Sequence, residues 1–188
     1  VHNDEVFSNI VQELFNKTTT LVLHPLSDSN KPGSVQSARR PVAVDAWLER
    51  GQHLAYALIQ PKWIWKVKPQ LNVEGQSNVR QKFCLQGIEL LDITRILKMD
   101  ETERCSQSFA KPSHCFFVKS IYDEEFCFEA KSKRERNRVV SSLKLLIARF
   151  GAKVLTGDPQ VYYEFFWING DVPGKAPDLH EAFVEKRR

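Results

Sequence analysis

The segment that most constrains this chain is Glu125-Phe126-Cys127-Phe128-Glu129-Ala130, which runs directly into Lys131-Ser132-Lys133-Arg134-Glu135-Arg136. Phe126, Phe128 and Ala130 alternate with Glu125, Cys127 and Glu129, the period of a strand with one apolar face. Together with His114–Ile121 it reads as a β-hairpin turning through Tyr122-Asp123-Glu124. Ser132 and Glu135 have the S-x-x-E spacing of a capping box, which satisfies two otherwise orphaned N–H groups at a helix start. Val139, Val140, Leu143, Leu146, Ile147 and Phe150 then recur at i, i+3, i+4, an apolar stripe that must lie on something. The preceding sheet is the nearest candidate. Gly151 reads as the stop of this 132–150 helix, although Ala152-Lys153-Val154-Leu155 can carry it on to Gly157.

Upstream, Val6, Phe7, Ile10, Val11, Leu14 and Phe15 mark an amphipathic helix over 5–16. Cations are scarce on its polar face, so it is expected to pack on the protein rather than enter a membrane. Thr18–Leu23 reads as a strand, and Ser27–Arg40, rich in Ser, Asn, Pro and Gly, as an exposed loop. Pro41–Arg50 reads two ways: Val42, Val44 and Ala46 alternate, yet Trp47-Leu48-Glu49-Arg50 before Gly51 can end a short helix. Leu54–Val67 is strand-like with a break near Pro61, Trp63 and Trp65 facing one side and Lys62, Ile64 and Lys66 the other. Gln70–Asn78 is a second loop. Val79–Met99 holds two or three short strands, the clearest at Ile88–Leu97, and Asp100–Pro112 is polar and exposed. After the long helix, Val161–Trp167 is densely aromatic. It either folds back to complete the core or forms a patch that docks a partner; the core reading leads because exposed patches of that size are rare on monomers. A Pro/Gly loop over 169–177 and a short helix from Asp178 follow.

The chemistry is sparse. At 188 residues, 42% hydrophobic and 27% charged, the chain has the make-up of a soluble domain with extensions. Its net charge of +4 permits an anionic partner without requiring one. There is no GxSxG, Gly-rich phosphate loop, HExxH or paired DxD set. His114 and Cys115 are neighbours, but adjacent strand residues point to opposite faces and cannot share a proton. The carboxylates of Asp123-Glu124-Glu125 read as solvated turn residues. No catalytic residue and no cofactor is therefore assigned. Of the four cysteines, Cys84, Cys105, Cys115 and Cys127, no two form a CxxC pair, so spacing argues against a structural zinc and no metal site is assigned. Cys115 and Cys127, inside apolar strands, read as reduced core thiols, which favours a cytoplasmic or nuclear setting. No apolar run is long enough to span a bilayer. Val1 in place of methionine reads as the start of a piece of a longer, multidomain chain.

The run from about Leu54 to Leu155 resembles a pleckstrin-homology-like (PH-like) domain. Ile88-Glu89-Leu90-Leu91-Asp92-Ile93-Thr94-Arg95-Ile96 is similar to the family's middle strand pair. His114–Lys119 and Phe126–Ala130 are similar to its last two strands, and Ser132–Leu143 to the opening of its helix. The resemblance implies an α+β fold: an antiparallel seven-stranded barrel or sandwich closed by a C-terminal helix. The expected organisation is an N-terminal helix, strand and loop over 1–40, a PH-like domain over 41–157 and an aromatic extension over 158–188. Where the family usually carries a helix tryptophan the chain has Val139, and Trp63, Trp65 or Tyr162–Trp167 are expected to supply the missing bulk.

The same resemblance implies a non-catalytic binding or adaptor module, recruiting a larger protein to anionic, phosphoinositide-type membrane lipid or to a protein partner. In the family a head group sits between the first strands, held by a Lys and a K/R-x-R. Lys62, Lys66, Arg80 and Lys82 are the candidates for lipid here, with peripheral membrane attachment as the consequence. The alternative is a pure protein-interaction module that uses a sheet edge or the aromatic tail. The run Lys131–Arg138, five cations to one anion, reads as the solvent face of the helix, with Arg stems covering apolar surface. Cations at a helix N-terminus oppose its macrodipole, so something other than helix stability placed them there. Nucleic acid is disfavoured, because stacking sites need exposed aromatics beside the cations.

Overall fold

Val44, Ala46 and Leu48 point inward at every second position, and the ambiguous segment 41–50 is accordingly a strand, without the helical turn before Gly51. The computed structural model describes residues 9, 16–24, 41–54, 57–68, 85–101 and 110–167. Of the helix expected over 5–16 only positions 9 and 16 are described, and both are helical; the loops at 27–40 and 70–78 and the short helix from Asp178 lie outside the described residues. Seven strands form one antiparallel sheet: β1 (Thr19–His24), β2 (Val42–Glu49), β5 (Lys62–Val67), β6 (Leu85–Glu89), β7 (Ile93–Lys98), β8 (Cys115–Ser120) and β9 (Glu125–Glu129). Their spatial order is β6-β5-β2-β1-β9-β8-β7. Between β2 and β5 the chain makes a short hairpin, β3 (Gly51–Leu54) and β4 (Ala57–Ile59), which joins β10 (Phe166–Trp167) in a separate three-stranded sheet. Two helices follow β9: α1 (Lys133–Thr156) and α2 (Gln160–Phe165).

The segment Ile88–Leu97, one strand by its periodicity and a strand pair by the resemblance, is a pair. A 3-10 turn at Leu90–Asp92 divides it, and β6 and β7 then lie at opposite edges of the sheet. Laid flat, seven strands would separate those edges by about 29 Å at ~4.8 Å per step. The three-residue turn reaches about 14 Å even when extended, so the sheet has to curl. Ring contacts across the interior record that curl: Trp65 of β5 meets Phe126 and Phe128 of β9 at 4.8 and 5.2 Å between centroids. The two edges do not pair with each other, so the result is an open, sandwich-like curl and not a closed barrel. The strand order and the helix fit the architecture that the sequence resembles. Thr19–His24, which the sequence places in an extension, lies at the centre of the sheet, bonded to both β2 and β9.

α1 starts where the capping box places it. The Ser132 hydroxyl accepts from the Glu135 N–H at 3.1 Å, and the Glu135 carboxylate accepts from the Lys131 N–H at 3.0 Å. The helix does not stop at Gly151 but continues to Thr156, because Val154 extends the apolar stripe one more turn. It ends at Gly157, whose φ of 66° is the left-handed conformation that glycine adopts without a side-chain clash. Val139, Val140, Leu143, Leu146, Phe150 and Val154 are buried against the inner face of the sheet.

The aromatic segment is core. Val161, Tyr162, Phe165 and Phe166 are buried, and Phe150 packs on Phe165 and Phe166 at 4.9 and 6.1 Å between ring centroids. These rings share one core cluster with Trp63, Trp65 and Val139. Polar bonds fix α2 to α1 as well. Arg149 bonds Glu164 through two nitrogens at 2.8 and 2.7 Å, and Lys153 bonds Asp158 at 2.7 Å. If α2 is part of the folded unit, Phe150→Ala should cost about 3–5 kcal/mol by removing a ring shared between sheet, α1 and α2. Leu155→Ala, at a site 75% exposed, should stay within about 0.5 kcal/mol. Denaturant unfolding followed by circular dichroism measures both.

Candidate functional site

Three surfaces carry enough charge or polarity to act on another molecule. The first is the face of β5 that carries Lys62 and Lys66. Trp63 and Trp65 turn into the core as their alternation requires, but Ile64, on the lysine side, is also buried. Lys62 pairs with Glu89 on β6 at 3.6 Å, and Lys68 with Asp45 on β2 at 3.0 Å, so cross-strand carboxylates offset part of the basic strip. Lys66 is exposed. Arg80 and Lys82 lie outside the described residues. The first two strands of the sheet, β1 and β2, contain no Lys or Arg, and β2 contributes Asp45 and Glu49.

The second surface is a groove of about 230 Å³ between edge strand β7 and α1, lined by Ile93, Thr94, Arg95, Ile96, Lys144, Ile147 and Ala148. Ile93 and Ile96 are buried beneath it, while Arg95 and Lys144 stand exposed at its rim. No carboxylate, histidine or cysteine lines it. On its outer side β7 has no partner among the described residues. A register irregularity between Ile93 and Arg95 interrupts its pairing with β8, and Thr94 uses its hydroxyl to bond the Lys119 carbonyl at 3.1 Å. Bulges of this kind restrict strand addition to the segment beyond them, here Arg95–Lys98. Sequence reading named a sheet edge in general; β7 itself became identifiable only when the strand order did.

The third is a buried polar cluster on the outer face of β1, β9 and β8. His24 stands opposite Cys127 in the β1–β9 register, and Cys115 opposite Glu129 in β8–β9. The His24 ring Nε2 lies 2.7 Å from Glu129 Oε2. Donor atoms of His24, Cys115 and Glu129 all fall within 4.8 Å of one another. The neighbouring Cys127 thiol, burial and the Glu129 charge push the Cys115 pKa far up, with Arg136 acting in the opposite sense. Both cysteines are free and buried, next to Met99, Phe117 and Ala110. Linear spacing could not reveal this set, because its members come from three strands. Strand alternation does place Cys115, Cys127 and Glu129 on one face of a single hairpin, and that signal was available.

Beside this cluster the basic run at the start of α1 departs from its reading as a solvent face. Lys131, Lys133, Arg134 and Arg138 are exposed, but Arg136 is 1% exposed and forms a two-point ion pair with Asp100. Lys133 approaches the same carboxylate at 3.9 Å. The cation that seemed misplaced at a helix N-terminus is therefore a buried tie between α1 and the Met99–Glu101 turn.

No family model and no curated protein matches the chain. Among solved structures it is similar to two Toxoplasma gondii proteins. Inner Membrane Complex Sub-compartment Protein 1 aligns with a TM-score of 0.44 and 11% identity over 76% of this chain and 90% of that one. Sub-compartment Protein 3 aligns at 0.42 and 12%, over 77% and 85%. No helix among the described residues is long and apolar enough to cross a membrane.

Hydrogen bonding to Arg136, more than any other influence, holds the Asp100 carboxyl below the usual carboxylate range. A carboxyl depressed in the folded state stabilises above its unfolded pKa of about 3.9, and that contribution disappears as pH falls through the lower folded value. Asp100→Asn should therefore be clearly less stable than the parent at pH 7, with the gap closing as pH is lowered below about 3. Parallel urea titrations across pH 2–7 (roughly the span over which carboxylates titrate) give the comparison.

Proposed function

We propose that the chain is a non-catalytic, PH-like binding module whose working surface is the β7–α1 groove, and that it takes an extended, acidic segment of a protein partner. The observation that carries this is the juxtaposition of an outward-facing edge strand with an apolar-floored groove. Arg95–Lys98 offers backbone groups for strand addition, the mode in which main-chain hydrogen bonds supply affinity and adjoining pockets supply selectivity. Ile93, Ile96 and Ile147 suit an apolar side chain, Leu97 is 40% exposed on the strand, and Arg95 and Lys144 complement acidic residues flanking it. The module spans at least Thr19–Trp167 on this reading, because β1 occupies the sheet centre and α2 the core.

A second reading keeps anionic lipid as the ligand, with Lys62, Lys66, Arg80 and Lys82 as its contacts. It is favoured by the exposure of Lys66 on the outer face of β5. The pairing of Lys62 with Glu89 and the acidic side chains of β2 weigh against it.

A peptide-display screen, followed by amide chemical-shift mapping, separates the two. Acidic, apolar-centred peptides should perturb β7 and α1, and Arg95→Glu with Lys144→Glu should weaken them at least about tenfold, or ~1.4 kcal/mol, while circular dichroism stays unchanged. Perturbation confined to other strands would sink the groove. For the lipid reading, phosphoinositide vesicles should sediment the protein in a salt-sensitive way that Lys66→Ala with Arg80→Ala abolishes. Absence of sedimentation, or its persistence in that variant, rejects it.

A further inference from the structure

We propose that His24, Cys115, Cys127 and Glu129 form a closed site for one divalent transition-metal ion of the zinc type, tying together β1, β8 and β9. This goes beyond the binding-module reading and does not depend on it. The donor set is the mixture such an ion prefers: one imidazole, two thiols and a carboxylate. Thiolate and imidazole together select zinc-like ions over magnesium or calcium, which take oxygen ligands.

Geometry supports it. Bond lengths of about 2.0–2.3 Å around a tetrahedral centre put neighbouring donors roughly 3.3–3.8 Å apart. His24, Cys115 and Glu129 already lie within 4.8 Å of one another, and Cys127, directly opposite His24 in the β1–β9 register and packed in one buried cluster with Cys115, supplies the fourth donor by side-chain rotation. The backbone register that delivers these side chains is that of a continuous antiparallel sheet, so site formation needs side-chain adjustment and no rearrangement of strands. His24 Nε2 and Glu129 Oε2, at 2.7 Å, would move apart by about half an ångström.

Burial adds a second, independent argument. His24 is 4% exposed, and Cys115 and Cys127 are fully buried, on the sheet face opposite the main core. Three heteroatom-bearing side chains packed together with a carboxylate 17% exposed form a polar enclave where aliphatic residues would serve packing alone. On binding, both thiols release their protons to solvent, His24 ligates through a neutral ring nitrogen and Glu129 as its carboxylate. No electron is transferred.

The test uses the full 188-residue chain, purified under reductant, with Cys84→Ser and Cys105→Ser as a background free of the other two thiols. Cobalt(II) is the probe. The folded background protein should bind one cobalt per chain, with the intense visible bands of a tetrahedral site and near-ultraviolet thiolate-to-cobalt absorption. Zinc(II) should displace it stoichiometrically and raise the thermal midpoint. Cys127→Ser should remove about half of the thiolate absorption, as expected for one of two thiolate ligands. Glu129→Gln, which keeps an acceptor for His24, should weaken cobalt binding at least about tenfold, ~1.4 kcal/mol. Cys115→Ser should abolish the thiolate band or leave only the contribution of Cys127. Circular dichroism on each variant confirms folding, and if Cys115→Ser does not fold, Cys127→Ser and Glu129→Gln decide the matter. The proposal is overturned if the folded background protein shows no thiolate–cobalt band, or if that band is the same in every folded variant.

Discussion

Leu90, Leu91 and Asp92 join two strands that a flat sheet would hold at opposite edges, and the rest of the molecule follows from that short connection. The sheet has to curl until β6 and β7 meet at one corner. Curling turns the Trp63–Trp65 side of β5 toward the Phe126–Phe128 side of β9, and their rings fill the enclosed space. One end of that space remains open, and α1 closes it. Position 151 sits over the same turn, where a Cβ would make an ordinary van der Waals contact with Leu91 at 3.7 Å, so the helix packs there without needing a glycine. A longer connection between β6 and β7 would relax the curl and remove the reason for the helix to sit where it does.

Closure by α1 leaves two kinds of surface with different character. On the β7 side the helix meets an edge strand and leaves a groove with an apolar floor and a cationic rim. On the opposite face of β1, β9 and β8 the sheet carries a small cluster of its own, Met99, Cys115, Phe117 and Cys127, with His24 and Glu129 beside it. The Arg136–Asp100 pair, near both α1 and the Met99–Glu101 turn, links the helix start to that second cluster. Replacing the whole pair with apolar groups can be tolerated in proteins, but leaving one buried charge alone is costly. The pair therefore fixes how the helix start and the turn sit together.

Local chemistry in the sequence was a reliable guide to local structure. The Ser132–Glu135 box marked the start of α1, and the alternation in Cys115–Ser120 and Glu125–Glu129 marked the hairpin. Gly151 misled because glycine is a stop signal only where the backbone needs a left-handed residue, and at 151 the apolar stripe still had Val154 to bury. Periodicity alone merged Ile88–Leu97 into one strand, because the turn between its two strands contributes apolar residues of its own; the resemblance divided it correctly. Arg136 was unreadable as a buried group because its partner, Asp100, is distant in sequence.

Residues close together along the chain dictate the set of elements, the apolar faces they present, and the class of fold that a hairpin followed by a capped helix can enter. These depend on interactions within a few residues: side-chain alternation, capping bonds and turn chemistry. Which strand is an edge, which cation is buried and which polar side chains meet follow instead from three-dimensional packing. His24 reaches Cys115 and Glu129 because β1 inserts beside β9, a pairing between segments about a hundred residues apart that depends on shape and register across the whole sheet. The groove at β7 has the same origin, since an edge is a property of strand order and no single strand's sequence records it.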